Sequence, residues 1–339
     1  MDTQFLYIHR LSLVAIGLWP YHRTMLVQLQ SSVFSFMLIS YIIVQLTAFI
    51  TTEWTLDFIV EILSTLFFLL LCAVQYNCFW INTHAVKRIL DNLQYICSEL
   101  RDDNEIAIIK RYGHIAKCIA NGLTFQYIGG GTLLGSGIVL TGYFTYFCGL
   151  FNIASYRIKQ AMQIINSDKI CNWKNKRDID KKISHAVDIH RTIIEFIEVS
   201  LYTFEGTYFL LIGLIVICLS LHLFGIFQAV CVVYNMADIV IHCSFAVGIL
   251  VCSLGGNYVG QAVTDHYNDI FSTAYNIRWY ITPVRVQRLI LFLLQRGTKP
   301  YGIKLGGLYT LSLENFASVK LLYNTYIYSI HNICIQGVI

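Results

Sequence analysis

The chain alternates long apolar runs with short polar breaks, and the length of each run decides what it builds. About 20 apolar residues let a helix cross a hydrocarbon layer of about 30 Å at 1.5 Å per residue. Runs of that kind fall at about Ser32 to Thr51, Asp57 to Ile81, Thr132 to Phe151, Phe204 to Phe227, Gln228 to Leu254 and Leu308 to Asn332. The breaks between the first and second runs, and between the fourth and fifth, are so short that tight turns are expected there. Residues 283 to 296 follow another rule. Val286, Leu289, Ile290 and Leu293 recur at helical spacing while Arg285, Arg288 and Gln295 mark the opposite side, which predicts an amphipathic helix. Thr282 is placed to cap it, Pro283 to open it and Gly297 to end it.

The last run carries a second periodicity. Ser312, Asn315, Ser318, Leu322, Thr325, Ser329 and Asn332 fall three or four residues apart, so six small polar side chains and one leucine share one stripe. Hydrocarbon offers hydroxyls and amides no partner, and the stripe must therefore face protein or water. A helix interface glued by small residues and a water-lined path both satisfy that requirement.

Composition agrees with the runs: of 339 residues, 56% are hydrophobic and 13% charged. That balance excludes a soluble domain and predicts an all-α, polytopic membrane helix bundle with six convincing spans. The first apolar run, Leu11 to Pro20, is short and lacks a small-residue cleavage site, so the first true span is expected to serve as the insertion signal. Arg10 and Arg23 precede that span. Lys87, Arg88, Arg101, Lys110, Arg111 and Lys117 follow the second, and six more Lys or Arg lie from Arg278 to Lys304. The positive-inside rule puts the N-terminus and these loops in the cytosol and the C-terminus outside.

One stretch upsets the count. Residues 152 to 199 hold nine Lys and Arg and should also be cytosolic, yet one convincing span separates them from the preceding cytosolic loop. The apolar stretch from Ile115 to Ile128, followed by Gly129-Gly130-Gly131, is a candidate for a short re-entrant leg that lets the chain turn back within the membrane.

Candidate chemistry is sparse. Glu61, Glu205, Asp238 and Lys320 lie within spans, where charge is costly, with His242 one turn from Asp238. Lys320 is expected to pair with Glu205 or Asp238, or to snorkel to a head group. The eleven cysteines show no CxxC or metal spacing and are expected to pack as small apolar groups. His185 and His190 are spaced poorly for a metal, Gly129 to Gly137 lacks the Lys-Ser/Thr of a phosphate loop, and no nucleophile has a base at hand. No enzyme, cofactor, metal or nucleic-acid partner is expected. Aromatics are abundant. Phe67, Phe68, Tyr76, Phe79, Tyr143, Tyr146, Tyr202, Phe204 and Tyr208 either line an apolar pocket for a small volatile or pack the bundle.

The polar signature after the fifth span carries a resemblance. Tyr275-Asn276, Trp279-Tyr280, Gln295-Arg296, Lys299-Pro300, Gly306-Gly307, Leu311-Ser312-Leu313-Glu314-Asn315-Phe316 and Tyr326, in this order and spacing, resemble the C-terminal signature of insect odorant receptors. Gly17-Leu18-Trp19-Pro20-Tyr21, and Cys148-Gly149-Leu150-Phe151 running into Ile153-Ala154-Ser155-Tyr156-Arg157-Ile158, are similar to two further motifs, with the flavour of ant and bee expansions. The resemblance implies seven helices, of which this chain lacks parts of the third and fourth and the loop between them. It implies a subunit of a ligand-gated, nonselective cation channel at the plasma membrane of olfactory neurons. Four subunits, usually including a broadly expressed odorant co-receptor, would surround a pore within membrane lipid.

Three segments are expected on this reading: a ligand-binding bundle over 1–254, a cytosolic anchor over 255–306, and a pore-lining terminal helix with a short tail over 307–339. Phe68, Tyr76, Tyr143, Tyr146, Phe204 and Tyr208 become ligand-binding candidates. Tyr326 and Ile330 join the polar stripe as pore-lining candidates, with Ser329, Ile330 and Asn332 near the external constriction. A truncated, nonfunctional member of the family and a gustatory-type channel are the alternatives. The latter has a different C-terminal signature.

Overall fold

The structure is a computed structural model that describes residues 10, 13–14, 17–21, 25–127, 135–166, 173–232, 235–276, 278–299, 301–307 and 309–318. In chain order the helices are α1 (Met25–Thr51), α2 (Leu56–Ile81), α3 (Thr83–Glu99), α4 (Asp103–Tyr127), α5 (Gly135–Asn166), α6 (Trp173–Cys231), α7 (Met236–Tyr275) and α8 (Val284–Gly297). A 3₁₀ turn at Trp279–Ile281 precedes α8, and a two-stranded hairpin, β1 (Lys304–Leu305) and β2 (Tyr309–Thr310), follows it. Residues 313–318 begin the terminal helix.

Four helices, α1, α2, α6 and α7, are long and apolar enough to cross a membrane among the described residues. They are antiparallel in pairs, and the short links at 52–55 and 232–235 lie at one end, here the turn end. Thr55 caps α2 through Phe58 N (3.4 Å), and Asn235 caps α7 through Ala237 N (3.0 Å). The opposite end holds the Lys- and Arg-rich segments and is the basic end.

The two ends differ in what they bury. On α1 only Ser31 and Leu38 are buried, while Phe36, Ile39, Ile43, Val44 and Ile50 stand exposed. An apolar helix left this bare wants hydrocarbon around it. The basic end instead holds the main core, where Tyr76, Phe79, Phe147, Phe151, Phe204 and Tyr267 pack with hardly any accessible surface. This body exists because α6 and α7 do not stop at the membrane. At 59 and 40 residues they are about 87 and 60 Å long, far more than a bilayer needs. The charged stretch from Trp173 and the span that follows it thus form one rod, and α7 likewise runs unbroken past residue 254.

The uneven span count has a structural answer. α4 and α5 are antiparallel neighbours joined through 128–134: Asn152 Nδ2 donates to Tyr112 OH (3.1 Å) and Asn104 Nδ2 to Tyr156 OH (2.9 Å). Ala120 of α4 packs beside Val251 and Cys252 of α7. From there Tyr127 is about 10 Å further on, whereas Val251 is about 23 Å from the start of α7. The described part of α4 therefore ends about 12 Å short of the turn end, and the antiparallel α5 leads back to the basic end. Among the described residues the expected helices are represented by α1 to α8 and by the start of the terminal helix at 313–318.

The sequence motifs build the basic end. Gly149 lets α5 approach Ile109 and Tyr112 of α4, where an added Cβ would lie 3.1 Å from both. Arg157 meets Glu105 in a two-pronged pair, Nε to Oε1 at 2.5 Å and Nη2 to Oε2 at 2.8 Å, with both side chains largely buried. Tyr21 donates to Asp91 Oδ1 (2.5 Å) under Lys87, tying the N-terminal motif to α3. At α8 one local expectation fails. Thr282 Oγ1 donates to Trp279 O (2.6 Å) instead of capping the helix, and Pro283 takes the N-cap position. The side chain of Gln287 reaches back to the carbonyls of Tyr280 and Thr282.

Removing one half of a buried ion pair strands the other charge, at about 3–5 kcal/mol. Arg157→Met is therefore expected to lower the melting temperature of the purified protein sharply, and the double change with Glu105→Leu to recover much of the loss. Equal melting of Arg157→Met and wild type would refute this account of the α4–α5 contact.

Candidate functional site

Two places combine apolar shelter with polar chemistry: a cluster near the turn end and the root of the terminal helix. In the first, α2, α6 and α7 converge on Phe67, Phe68, Cys218, Leu219, Ala246 and Ile249. Phe68 meets Phe245 edge-on at 5.2 Å, and Phe245 lies flat on His222 at 5.0 Å. His222 Nδ1 is 3.0 Å from His242 Nδ1, so one ring donates and the other accepts. His222 Nε2 is buried and has no hydrogen-bond partner among the described residues. An apolar wall with an imidazole pair suits a small, mostly apolar molecule bearing one polar group. Asp238 sits in the first turn of α7, where it accepts from Asn235 Nδ2 (2.9 Å) and suits the helix N-terminus.

Of the six ligand-binding candidates, Phe68 alone belongs to this cluster, beside Phe67 from the wider aromatic set. Tyr76, Tyr143, Tyr146 and Phe204 are buried together in the basic-end core, with Tyr208 packed against it. Tyr76 stacks on Phe34 (5.8 Å), and Phe204 contacts Phe79 (5.4 Å) and Tyr208 (6.1 Å). Tyr76 is eight positions beyond Phe68, about 12 Å along α2, so the six candidates do not converge on one point. Tyr143 OH is buried with no hydrogen-bond partner among the described residues. Sequence reasoning missed His222 and Phe245. His242 was visible as a polar residue in a span, but its partner comes from another helix, twenty positions earlier.

The second place explains how the terminal helix starts. Gly306 and Gly307 have φ of 60° and 68°, left-handed angles that glycine adopts without strain, and they open the three-residue loop 306–308 that sets β2 antiparallel to β1. Asn257, buried in α7, accepts from Tyr309 OH (3.0 Å) and Ser312 N (3.2 Å) and donates to Ser253 O (2.9 Å). Ser312 Oγ accepts from Asn315 N (3.1 Å), and Asn315 Nδ2 donates to Thr310 O (2.8 Å). The terminal helix thus begins at 313, later than the Leu308 expected, because 309–310 are spent in the hairpin. Of the pore-lining candidates, Ser312 and Asn315 make this cap, and Ser318 is exposed and donates to Glu314 O (3.1 Å). Leu322, Thr325, Tyr326, Ser329, Ile330 and Asn332 lie outside the described residues, as does Lys320.

Gly260 brings the two elements together, since an added Cβ would fall within contact distance of Leu311 Cβ and 3.0 Å from its carbonyl. Gly297 makes a similar approach to Phe271 and seats α8 on α7. α8 buries Val286, Ile290 and Leu293 there, while Val284, Leu291 and Phe292 face outward. Beneath it, His190 is wedged against Tyr267 (5.5 Å) and Phe271 (5.4 Å). Burial, and then nearby Arg296, push its pKa down to about 4. Among the described residues no three potential ligands gather as a metal site.

A family model described as 7tm Odorant receptor matches residues 119–323. The chain belongs to that family. The odorant receptor is a multi-pass protein of the plasma membrane and a receptor, with no enzymatic role. Its fold is similar to that of the olfactory receptor OR5 from Machilis hrabei solved with eugenol, at a TM-score of 0.75 and 12% identity, each chain covering 97% of the other. A second OR5 structure gives 0.72 and 13%, with 96% of each chain covered. No curated protein matches the receptor's sequence. The likeness to OR5 runs over nearly the whole length of both chains.

Two outcomes follow. Gly260→Ala is expected to destabilise the receptor and reduce its surface amount, whereas Gly256→Ala, with nothing within 4 Å, gains about 0.5–1 kcal/mol of helix propensity. Melting temperatures of the two variants should move in opposite directions. For His190 the unfolded chain takes up a proton near pH 6.5 that the folded one refuses until about 4. Stability is therefore expected to fall by on the order of 3 kcal/mol between those pH values and not further below them. The wild-type curve minus that of His190→Gln reads this directly.

Proposed function

We propose that this receptor is one subunit of an odorant-gated, nonselective cation channel, assembled as a tetramer with co-receptor subunits, with its basic end in the cytosol and its C-terminus outside. The observation that carries the reading is the buried Asn257, which fastens the root of the terminal helix to the same α7 that holds His242 and Phe245. A molecule binding at the aromatic and imidazole cluster presses on α7, and α7 carries the terminal helix. The ligand is a small volatile, held mainly by apolar burial around Phe68 and Phe245 and oriented by one hydrogen bond to the imidazole pair. Eugenol, present in the OR5 complex, is a small molecule of that kind.

The terminal helix lines the conduit with Ser312, Asn315, Ser318, Leu322, Thr325, Ser329 and Asn332, with Tyr326 and Ile330 flanking the stripe. Subunits hold one another through the outward face of α8, where Val284, Leu291 and Phe292 are too apolar for water. Tyr76, Tyr143, Tyr146, Phe204 and Tyr208 form the floor below the ligand and transmit its position to the core.

Expression with the co-receptor and current recording against a volatile panel tests the whole reading. An activating odorant is expected, and Phe68→Ala should raise its half-maximal concentration by roughly tenfold or more, the equivalent of losing about 1.5–3 kcal/mol of ring burial. Thiol-reactive cations should block channels carrying Ser329→Cys or Asn332→Cys. Unblocked current in both variants would sink the assignment of the stripe to the conduit, and silence despite surface staining would favour a nonfunctional family member.

A further inference from the structure

The imidazole pair near the turn end holds one unspent hydrogen-bonding atom. A neutral imidazole carries one N–H and one bare nitrogen, so the 3.0 Å contact between His222 Nδ1 and His242 Nδ1 fixes both rings at once. Whichever ring donates there is bare at its Nε2, and the ring that accepts carries its proton at Nε2. The two outer nitrogens stand in different surroundings. His222 is 3% exposed, and its Nε2 has no hydrogen-bond partner among the described residues. His242 is half-buried, with its Nε2 edge against Gly225, where an added Cβ would lie 2.6 Å away.

That difference decides the tautomers. Orphaned buried N–H groups are rare in proteins, whereas a bare acceptor is tolerated better. The proton pattern that respects this puts the bridging Nδ1–H on His222, the acceptor at His242 Nδ1, and the His242 proton on Nε2 of the half-exposed ring. His222 Nε2 is then a lone pair sheltered from water. Phe245 lies on the His222 ring at an interplanar angle of 2°, and Cys218 and Ile226, one turn to either side on α6, pack in the same cluster. A ring nitrogen accepts in the plane of its ring, so the lone pair opens along the Phe245 face and not into it.

We infer that the ligand of this cluster is a neutral hydroxyl compound, an alcohol or a phenol, which donates its O–H to His222 Nε2 while its carbon body lies against Phe68, Leu219 and Phe245. The inference rests on the proposed placement of the ligand at the cluster and adds the chemical class that the site selects. An ether brings no donor and leaves the lone pair bare. An aldehyde, ketone or ester accepts, so it needs an N–H at His222 Nε2, and that requires both protons of the pair to move. An ammonium group donates, but burying its charge against an aromatic wall costs more than one bond returns. His222 is thus the residue that sets specificity. A site whose buried polar group is left unpaired by the wrong ligand discriminates better than apolar fit does.

Binding to the purified full-length receptor in lipid nanodiscs tests this without any current. The probes are pairs that differ only at the hydroxyl: octanol with octanal, menthol with menthone, and eugenol with methyl eugenol. The quantity read is the concentration that gives half of the rise in melting temperature. Within each pair that binds, the hydroxyl member should act at a concentration lower by roughly tenfold or more. His222→Asn keeps a donor where Nδ1 stands and has no atom at Nε2, so it should melt near wild type and bind both members of a pair equally. His222→Gln, whose amide oxygen reaches the place of Nε2, should keep part of the preference, and Phe68→Ala should weaken both members alike. Equal half-points within the pairs in wild type, or a preference that survives His222→Asn, would overturn the hydroxyl assignment and leave the site in place. No melting shift with any probe in wild type, or shifts untouched by Phe68→Ala, would overturn the placement of the ligand and this assignment with it. Hydroxyl-selective binding by a receptor that passes no current would uphold the assignment and count against the channel reading alone.

Discussion

A helix in hydrocarbon must satisfy its own backbone, and it cannot end there without leaving carbonyls or amides bare. In this receptor α6 and α7 meet that demand by not ending until they are well clear of the apolar zone, and everything else is arranged on the parts that project. Within the membrane tier the helices need few partners, and α1 leaves most of its surface to lipid. Outside it, water restores the hydrophobic driving force, and the projecting segments collect α3, the lower halves of α4 and α5, and α8 into one packed core. The buried Arg157–Glu105 pair belongs to this tier, where surrounding amides and hydroxyls share the load of its charge.

Much of this was legible in the chain. α2 matches its run to within one residue and α1 ends at Thr51 as expected, because a run of twenty apolar residues has almost no alternative structure, but α1 starts seven residues earlier than its run, at Met25. The buried face of α8 is read correctly at Val286, Ile290 and Leu293, since helical periodicity reports burial whenever one face meets a core. α6 was harder. Its first half is charged and its second apolar, and composition divides what the backbone keeps continuous. The α4–α5 pair was visible only as a contradiction in the count of charges, and it takes the contact of Ala120 with Val251 to place α4 against the middle of α7.

The candidate site was less legible, for reasons that differ residue by residue. Tyr76 and Phe204 satisfy every sequence criterion for a pocket residue and for a core residue alike, and only their neighbours decide between them. His222 carries no local signal, because its meaning comes from His242 and Phe245 on another helix. At the terminal helix the polar stripe did mark real hydrogen bonding. Its first two members, Ser312 and Asn315, are engaged in starting the helix, a use that spacing cannot distinguish from facing water.

The cluster and the root are fifteen positions apart on one helix, from His242 to Asn257, or about 22 Å. No hinge interrupts that stretch, since α7 is continuous and its glycines at 248, 255, 256 and 260 all lie within the helix. A rigid rod cannot absorb a displacement at one end, so a shift or tilt imposed at Phe245 must appear at Gly260 and thus at Leu311. A ligand exploits this only if it binds one position of α7 more tightly than the other, because equal affinity moves no equilibrium. The aromatic wall therefore sets which molecules bind, and the difference in its fit between the two positions of α7 sets which of them act.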